Sequence, residues 1–163
     1  MTRTLVLMRH AAAEGWSVSG DRGRKLNEGG RQDAAQAGQQ MAALGIQHVL
    51  CSTATRTRET VECLGLDAPV EYMDALYNCT MDTLVQRIGE IEDDVTALLV
   101  VAHSPAIPSL AAELTWAADP SAADDMRCWF PTAAFSQFTL EGSWSELTDD
   151  ATLKLAGIKR VGH

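Results

Sequence analysis

Positive charge is scarce in this chain: 13 Lys and Arg stand against 22 Asp and Glu, giving a net charge of −9 at pH 7. A general nucleic-acid binder shows the opposite surplus, and the same deficit disfavours attraction to anionic lipid. No apolar run approaches the roughly 20 residues that span a bilayer. The opening Met1-Thr2-Arg3 leads straight into an apolar segment, without the h-region and small-residue cleavage site of a signal peptide, so a cytoplasmic protein is expected. The cysteines Cys51, Cys63, Cys79 and Cys128 form no C-x-x-C pair, and reduced, mostly buried thiols are expected instead of disulfides. The four histidines show neither H-x-H nor H-E-x-x-H spacing, so no metal and no cofactor is expected.

What is present is a chain of 163 residues, 46% hydrophobic, enough for one domain over 1–163 with a full core. Leu5-Val6-Leu7-Met8 is a short continuous apolar run, as a strand buried on both faces requires. Residues 13–30 are rich in glycine and charge and read as a long surface loop, a type of segment that commonly carries function. A helix is expected at 30–44 with Gly45 as its C-cap, then a strand at Val49-Leu50-Cys51, a helix at 54–64 and a strand at 69–72. Leu84, Val85, Ile88 and Ile91 have helical spacing over 81–91, and Ala97–Ala102 is the strongest strand signal. Ser104 and Pro105 suit the N-cap and first residue of a helix running through Ile107, Leu110, Ala111 and Leu114. A polar loop is expected at 117–128, and closing strands at 132–140 and 152–158. This alternation predicts a three-layer α/β/α sandwich around a mostly parallel sheet.

In such sheets ligands bind beyond the carboxyl ends of the strands. Arg9 and His10 follow the first strand, Ser52 and Arg56 the second, and His103 and Ser104 the strongest one. Imidazole is a nucleophile and general base that is neutral near pH 7, while guanidinium presents a rigid fork of donors to phosphate oxygens. A neutral histidine among arginines is suited to attack a phosphoryl group in line, and metal is then unnecessary for neutralising its oxygens. Competing phosphate chemistries lack their letters: there is no G-x-x-x-x-G-K-[ST], no D-x-D, and Cys51 is one residue too close to Arg56 for a cysteine-phosphatase loop. G-x-G-x-x-G and G-x-S-x-G are also absent. The plainer alternatives are a satisfied core histidine at position 10, surface ion pairs for Arg9 and Arg56, and a loop-orienting role for His103.

Leu-Val-Leu-Met-Arg9-His10-Ala resembles the L-x-R-H-G signature of the histidine phosphatase superfamily, the phosphoglycerate-mutase-like clan. Ser52-Thr-Ala-Thr-Arg56-Thr-Arg-Glu-Thr60 resembles its S-P-x-x-R-A-x-x-T segment, and Val100-Val-Ala-His103-Ser104-Pro105 its V-x-G-H-N-P segment. The motifs occur in the family's order over about residues 4–115. Short length, the stretch Arg24–Arg31 and Asp74-Ala-Leu-Tyr77 look most like the small SixA-type branch, associated with removing phosphate from phosphohistidine. The resemblance implies a phosphoglycerate mutase-like fold, His10 as nucleophile, and Arg9, Arg56 and His103 as the phosphate pocket. It also implies Arg24 as a fourth contact, with Arg22 its competitor, and Ser104 as a substrate-binding residue.

The chain departs from the family at Ala11, Thr53, Ala102 and Ser104. Larger relatives place a Glu after the third strand to protonate an alkoxide leaving group; Asn78 stands there, with Asp74 nearby, and Asp74, Asn78 and His103 are the candidates for supplying that proton. The expected function is a metal-independent phosphatase working through a phosphohistidine intermediate on a phosphorylated substrate, a phosphohistidine protein by the SixA resemblance. Alternatives are a broad small-molecule phosphomonoesterase and a non-catalytic phosphate-binding regulator. Trp16 is a candidate cover for the pocket or a packing residue.

Overall fold

The computed structural model describes residues 2–116 and 119–148, with the backbone of 153–157. Strands β1 (Thr2–Arg9), β2 (His48–Ser52), β3 (Val70–Met73), β4 (Ala97–Ala102), β5 (Phe135–Glu141) and β6 (Leu153–Gly157) alternate with helices α1 (Glu28–Met41), α2 (Thr55–Leu64), α3 (Met81–Gly89), α4 (Ala106–Trp116) and α5 (Pro120–Cys128). The sheet order is β3-β2-β4-β1-β5-β6. β1 to β4 run parallel, and β5 and β6 add an antiparallel edge.

Successive strand residues point to opposite faces, so continuous apolar runs feed two cores at once. Leu5, Leu7, Leu98 and Val100 pack against Leu84 and Ile88 of α3, Leu110 and Leu114 of α4 and Met126 of α5. Val6, Met8, Leu99 and Val101 pack on the other face with Ala34, Ala37 and Met41 of α1 and Leu64 of α2. The result is the expected α/β/α sandwich. Helices α1 and α2 approach closely because Gly38 has no side chain: a Cβ there would lie 1.9 Å from the Leu64 carbonyl oxygen.

The helix expected at 30–44 starts two residues earlier, where Asn27 accepts from the Gly30 N–H at 2.8 Å, and ends in a 3-10 turn over Ala42–Leu44 before Gly45 at φ +66°. The polar segment at 117–128 is not a loop throughout: α5 occupies Pro120–Cys128. Asp119 caps it by accepting from Ala122 N–H at 3.1 Å, and Pro120 takes the first helical position, where a missing N–H costs nothing. Ser104 and Pro105 precede α4 instead of opening it, joined by a cis peptide bond. Pro108 is tolerated within the first turn of α4. β5 and β6 form the expected closing pair, but with Gly142 followed by a 3-10 turn at Trp144–Glu146 and not by a tight hairpin. Of the cysteines only Cys51 is buried, and Cys128 is exposed, so the thiols are less buried than expected. No helix among the described residues is long and apolar enough to cross a membrane.

Candidate active site

β4 lies between β1 and β2, with Arg9 beside Ala102 and Cys51 beside Val101. This register brings the residues after all three strands to one sheet edge. His10 and His103 face one another there, ring centroids 5.3 Å apart, and both are nearly buried, at 7% and 6% exposure. The backbone of His10 is held from two sides: its N–H donates to the Ala102 carbonyl at 3.0 Å and its carbonyl accepts from Ala133 N–H at 2.9 Å.

The His10 Nδ1 lies 2.7 Å from the Ala11 carbonyl oxygen and can contact it only as an N–H donor, which leaves Nε2 with the lone pair. Nε2 has no hydrogen-bond partner among the described residues, yet it is not among the buried unpaired atoms, so it keeps some access to solvent. Burial pushes the His10 pKa down to about 3, with the nearby His103, Arg56 and Arg9 charges acting in the same direction against the Ala11 bond. His103 is pushed down to about 4, by burial first and then by Arg56. Both rings are therefore neutral at pH 7.

Arg56 lies in the first turn of α2, where Thr57 Oγ1 donates to the Ser52 carbonyl at 2.8 Å and ties the helix to the end of β2. Arg9 donates from NH1 to the Phe130 carbonyl at 3.0 Å, and burial lowers its pKa, with Arg56 adding to the effect. Ser52 Oγ pairs with His103 Nε2 at 2.8 Å. The Arg9 Nε, Arg56 Nε and His103 Nδ1 atoms are buried without a partner. Unpaired buried polar groups are costly, and Arg3 Nε, Arg87 Nε and Ser136 Oγ are unpaired as well, so the two guanidinium groups and not these atoms make the cluster attractive to an anion.

Asp21, a residue that sequence reasoning left in the surface loop, is part of this cluster. Arg56 donates from NH1 to the Asp21 backbone carbonyl at 2.8 Å and from NH2 to Asp21 Oδ2 at 3.1 Å, and Tyr77 OH donates to the same carboxylate oxygen at 2.5 Å. The Tyr77 bond above all, with Arg56 and Arg24 adding to it, brings the Asp21 carboxyl down to about 2. Arg24 reaches Asp21 Oδ1 at 3.2 Å and the Glu14 carbonyl at 2.6 Å, so it joins the pocket through Asp21. Arg22 turns instead to Asp74 at 2.5 Å and lies 4.7 Å over the Tyr77 ring. Asp74 is exposed, takes hydrogen bonds from Thr53 and Arg22, and has its pKa lowered by them. Asn78 adopts φ 54°, a left-handed conformation that suits Asn. Trp16 is 72% exposed and lines a cavity with Asp21 and Arg24. Ser104 is exposed and lines a cavity beside Arg9.

Among the described residues no group of three or more His, Cys, Asp and Glu could hold a metal ion. The cluster offers a neutral nucleophile, two guanidinium groups and a second imidazole, a set suited to phosphoryl transfer.

Comparison with known proteins agrees with this chemistry. The model of the histidine phosphatase superfamily, branch 1, matches residues 5–93, more than half of the chain. An uncharacterized protein of Mycobacterium leprae is 37% identical over 130 residues, 78% of this chain and 81% of its own. A solved structure from Nakamurella multipartitia, provisionally named a phosphohistidine phosphatase, SixA, superposes with a TM-score of 0.86 at 36% identity, covering 100% of this chain and 96% of that one. The protein histidine phosphatase SixA solved with tungstate shares the fold at a TM-score of 0.70 and 22% identity, over 87% of this chain and 90% of that one. The motif-bearing half, the register that unites its residues and these likenesses agree: the chain belongs to the histidine phosphatase superfamily.

Proposed function

We propose that this chain is a metal-independent phosphatase that removes the phosphoryl group from phosphohistidine through a covalent intermediate on His10. The observation that carries this reading is the bond from His10 Nδ1–H to the Ala11 carbonyl, which leaves the lone pair on Nε2, the ring nitrogen with no protein partner among the described residues. In the first step Nε2 attacks phosphorus, a P–N bond to His10 forms, and the P–N bond to the substrate imidazole breaks. The bond's electron pair goes to the departing ring, which leaves neutral because its other nitrogen is already protonated. In the second step water attacks phosphorus, the bond to Nε2 breaks, and the water proton leaves with the phosphate released. Arg9 and Arg56 neutralise the equatorial oxygens throughout, the role that preorganised donors fill in phosphoryl transfer.

The state of the carboxylates supports a phosphoramidate substrate. Asp21, near 2, and Asp74, lowered and exposed, are both ionised at neutral pH, and Asn78 has no acid to offer. An alkoxide leaving group needs a protonated acid beside it; an imidazole carrying its own proton does not. A kinetic panel tests this. A phosphohistidine peptide is expected to exceed sugar phosphates in kcat/KM by at least about a hundredfold, the scale of a general acid's contribution, in the presence of a chelator. Equal values for the two classes, or loss of activity with chelator, would count against it.

A further inference from the structure

Beside the imidazole pair lies a cavity that the two chemical steps do not use. It holds about 270 Å³ and is lined by Arg9, Ser104, Arg127, Trp129, Phe130 and Pro131. Arg9 forms part of both spaces, because the guanidinium set against the phosphate pocket also donates to the Phe130 carbonyl. A leaving group attached to a phosphoryl held by Arg9 is therefore next to this cavity. Arg127, from the last turn of α5, lines it too, with its guanidinium 5.8 Å from the Trp116 ring. Its side chain is 45% exposed and pairs with Asp124 at 3.2 Å, a carboxylate that is itself 71% exposed. So exposed a pair is weak and exchangeable, and it shows the chemical partner that Arg127 accepts in this position. Phe130, Pro131 and the half-exposed Trp129 supply an apolar wall beside the charges.

In a chain of net charge −9, two arginines lining one small cavity create a local preference for negative charge against the general field. We infer that this cavity is a subsite for the residue next to phosphohistidine in a protein substrate, and that it selects an acidic side chain there. The carboxylate takes the place of Asp124 on Arg127, and the aliphatic stem lies against Trp129 and Phe130. This inference rests on the phosphohistidine reading above and adds the sequence context of the substrate to it.

Two phosphohistidine peptides test it, identical except for Glu or Gln on both sides of the phosphorylated residue. The wild-type protein favours the Glu peptide by about three- to fivefold in kcat/KM, the range an exposed charge pair supplies, and the difference appears in KM. It shrinks in about 0.5 M salt, where such pairs are screened. Arg127→Gln brings the ratio to about one, and Asp124→Asn, which removes the internal competitor, raises it above the wild-type value. If Arg127→Gln does not fold, the rise in Asp124→Asn and the salt dependence decide the matter. Equal kcat/KM for both peptides in the wild-type protein overturns the subsite and leaves phosphohistidine hydrolysis standing. Turnover of phosphoramidate with no turnover of either peptide overturns both.

Discussion

The His10 Nδ1 lies 2.7 Å from the carbonyl oxygen of Ala11, its own neighbour in the chain, and that contact selects the ring's tautomer. Ala11 is held in turn, its N–H donating to Thr60 Oγ1 at 3.0 Å, while Thr60 donates to the Arg56 carbonyl at 2.7 Å. His10 and the arginine of the second motif are thus parts of one hydrogen-bonded unit. The family's Gly is replaced by Ala at position 11 without backbone strain, since Ala11 is not among the residues with positive φ.

The depressed imidazoles predict how stability depends on pH. His10 titrates at about 3 and His103 at about 4 in the fold, against an ordinary value near 6.5 in the unfolded chain. Below about pH 6.5 the unfolded state therefore binds protons that the folded state does not, and stability falls as pH falls. Between pH 6.5 and 5, where carboxylates stay ionised, each ring adds a slope approaching about 1.4 kcal/mol per pH unit. Urea unfolding at pH 7, 6 and 5 is expected to show a shallower loss for His10→Asn than for the wild type; identical slopes would contradict neutral burial.

Asp21 is a positioning residue for Arg56. Its carboxylate and carbonyl both receive the guanidinium, and Tyr77 donates to the same carboxylate oxygen as Arg56. Asp21→Asn is expected to lower kcat/KM by about tenfold to a hundredfold, the range seen when a binding group is misplaced by about an ångström. Stability should change little, since Asp21 is half exposed. An unchanged or higher kcat/KM would show instead that this carboxylate only competes with the substrate.

Two adjacent glycines at the start of α1 should respond in opposite ways. A Cβ on Gly30 would sit 2.0 Å from the Ala12 carbonyl oxygen, whereas one on Gly29 meets only the Asn27 side chain at 3.6 Å. Gly30→Ala should destabilise by about 1–3 kcal/mol and displace the segment following His10. Gly29→Ala should be neutral or stabilising by up to about 1 kcal/mol. Denaturant midpoints check both, and equal shifts would contradict the packing described.

Much of the site was legible because its residues follow buried strands, and a buried parallel strand is a strong local signal. Arg9, His10, Arg56 and His103 converge through the β1-β4-β2 register at the carboxyl ends of parallel strands. Asp21 and Tyr77 were not legible: their contact with Arg56 joins three separate segments, and no short-range pattern encodes it. Helix α5 is hidden by its polar composition, although Asp119-Pro120 carries a helix-start signal. Arg22 and Arg24 look equivalent in the sequence, and only Asp21 and Asp74 separate their surroundings.

The central claim is that His10 Nε2 becomes phosphorylated. Brief exposure to labelled phosphohistidine peptide followed by an alkaline quench measures it directly, because a phosphoramidate survives base and is lost in acid. Acid-labile label is expected on the wild-type protein, mapping to His10, and none on His10→Ala; equal labelling of both, or hydrolysis by His10→Ala at the wild-type rate, would rule out phosphorylation of His10.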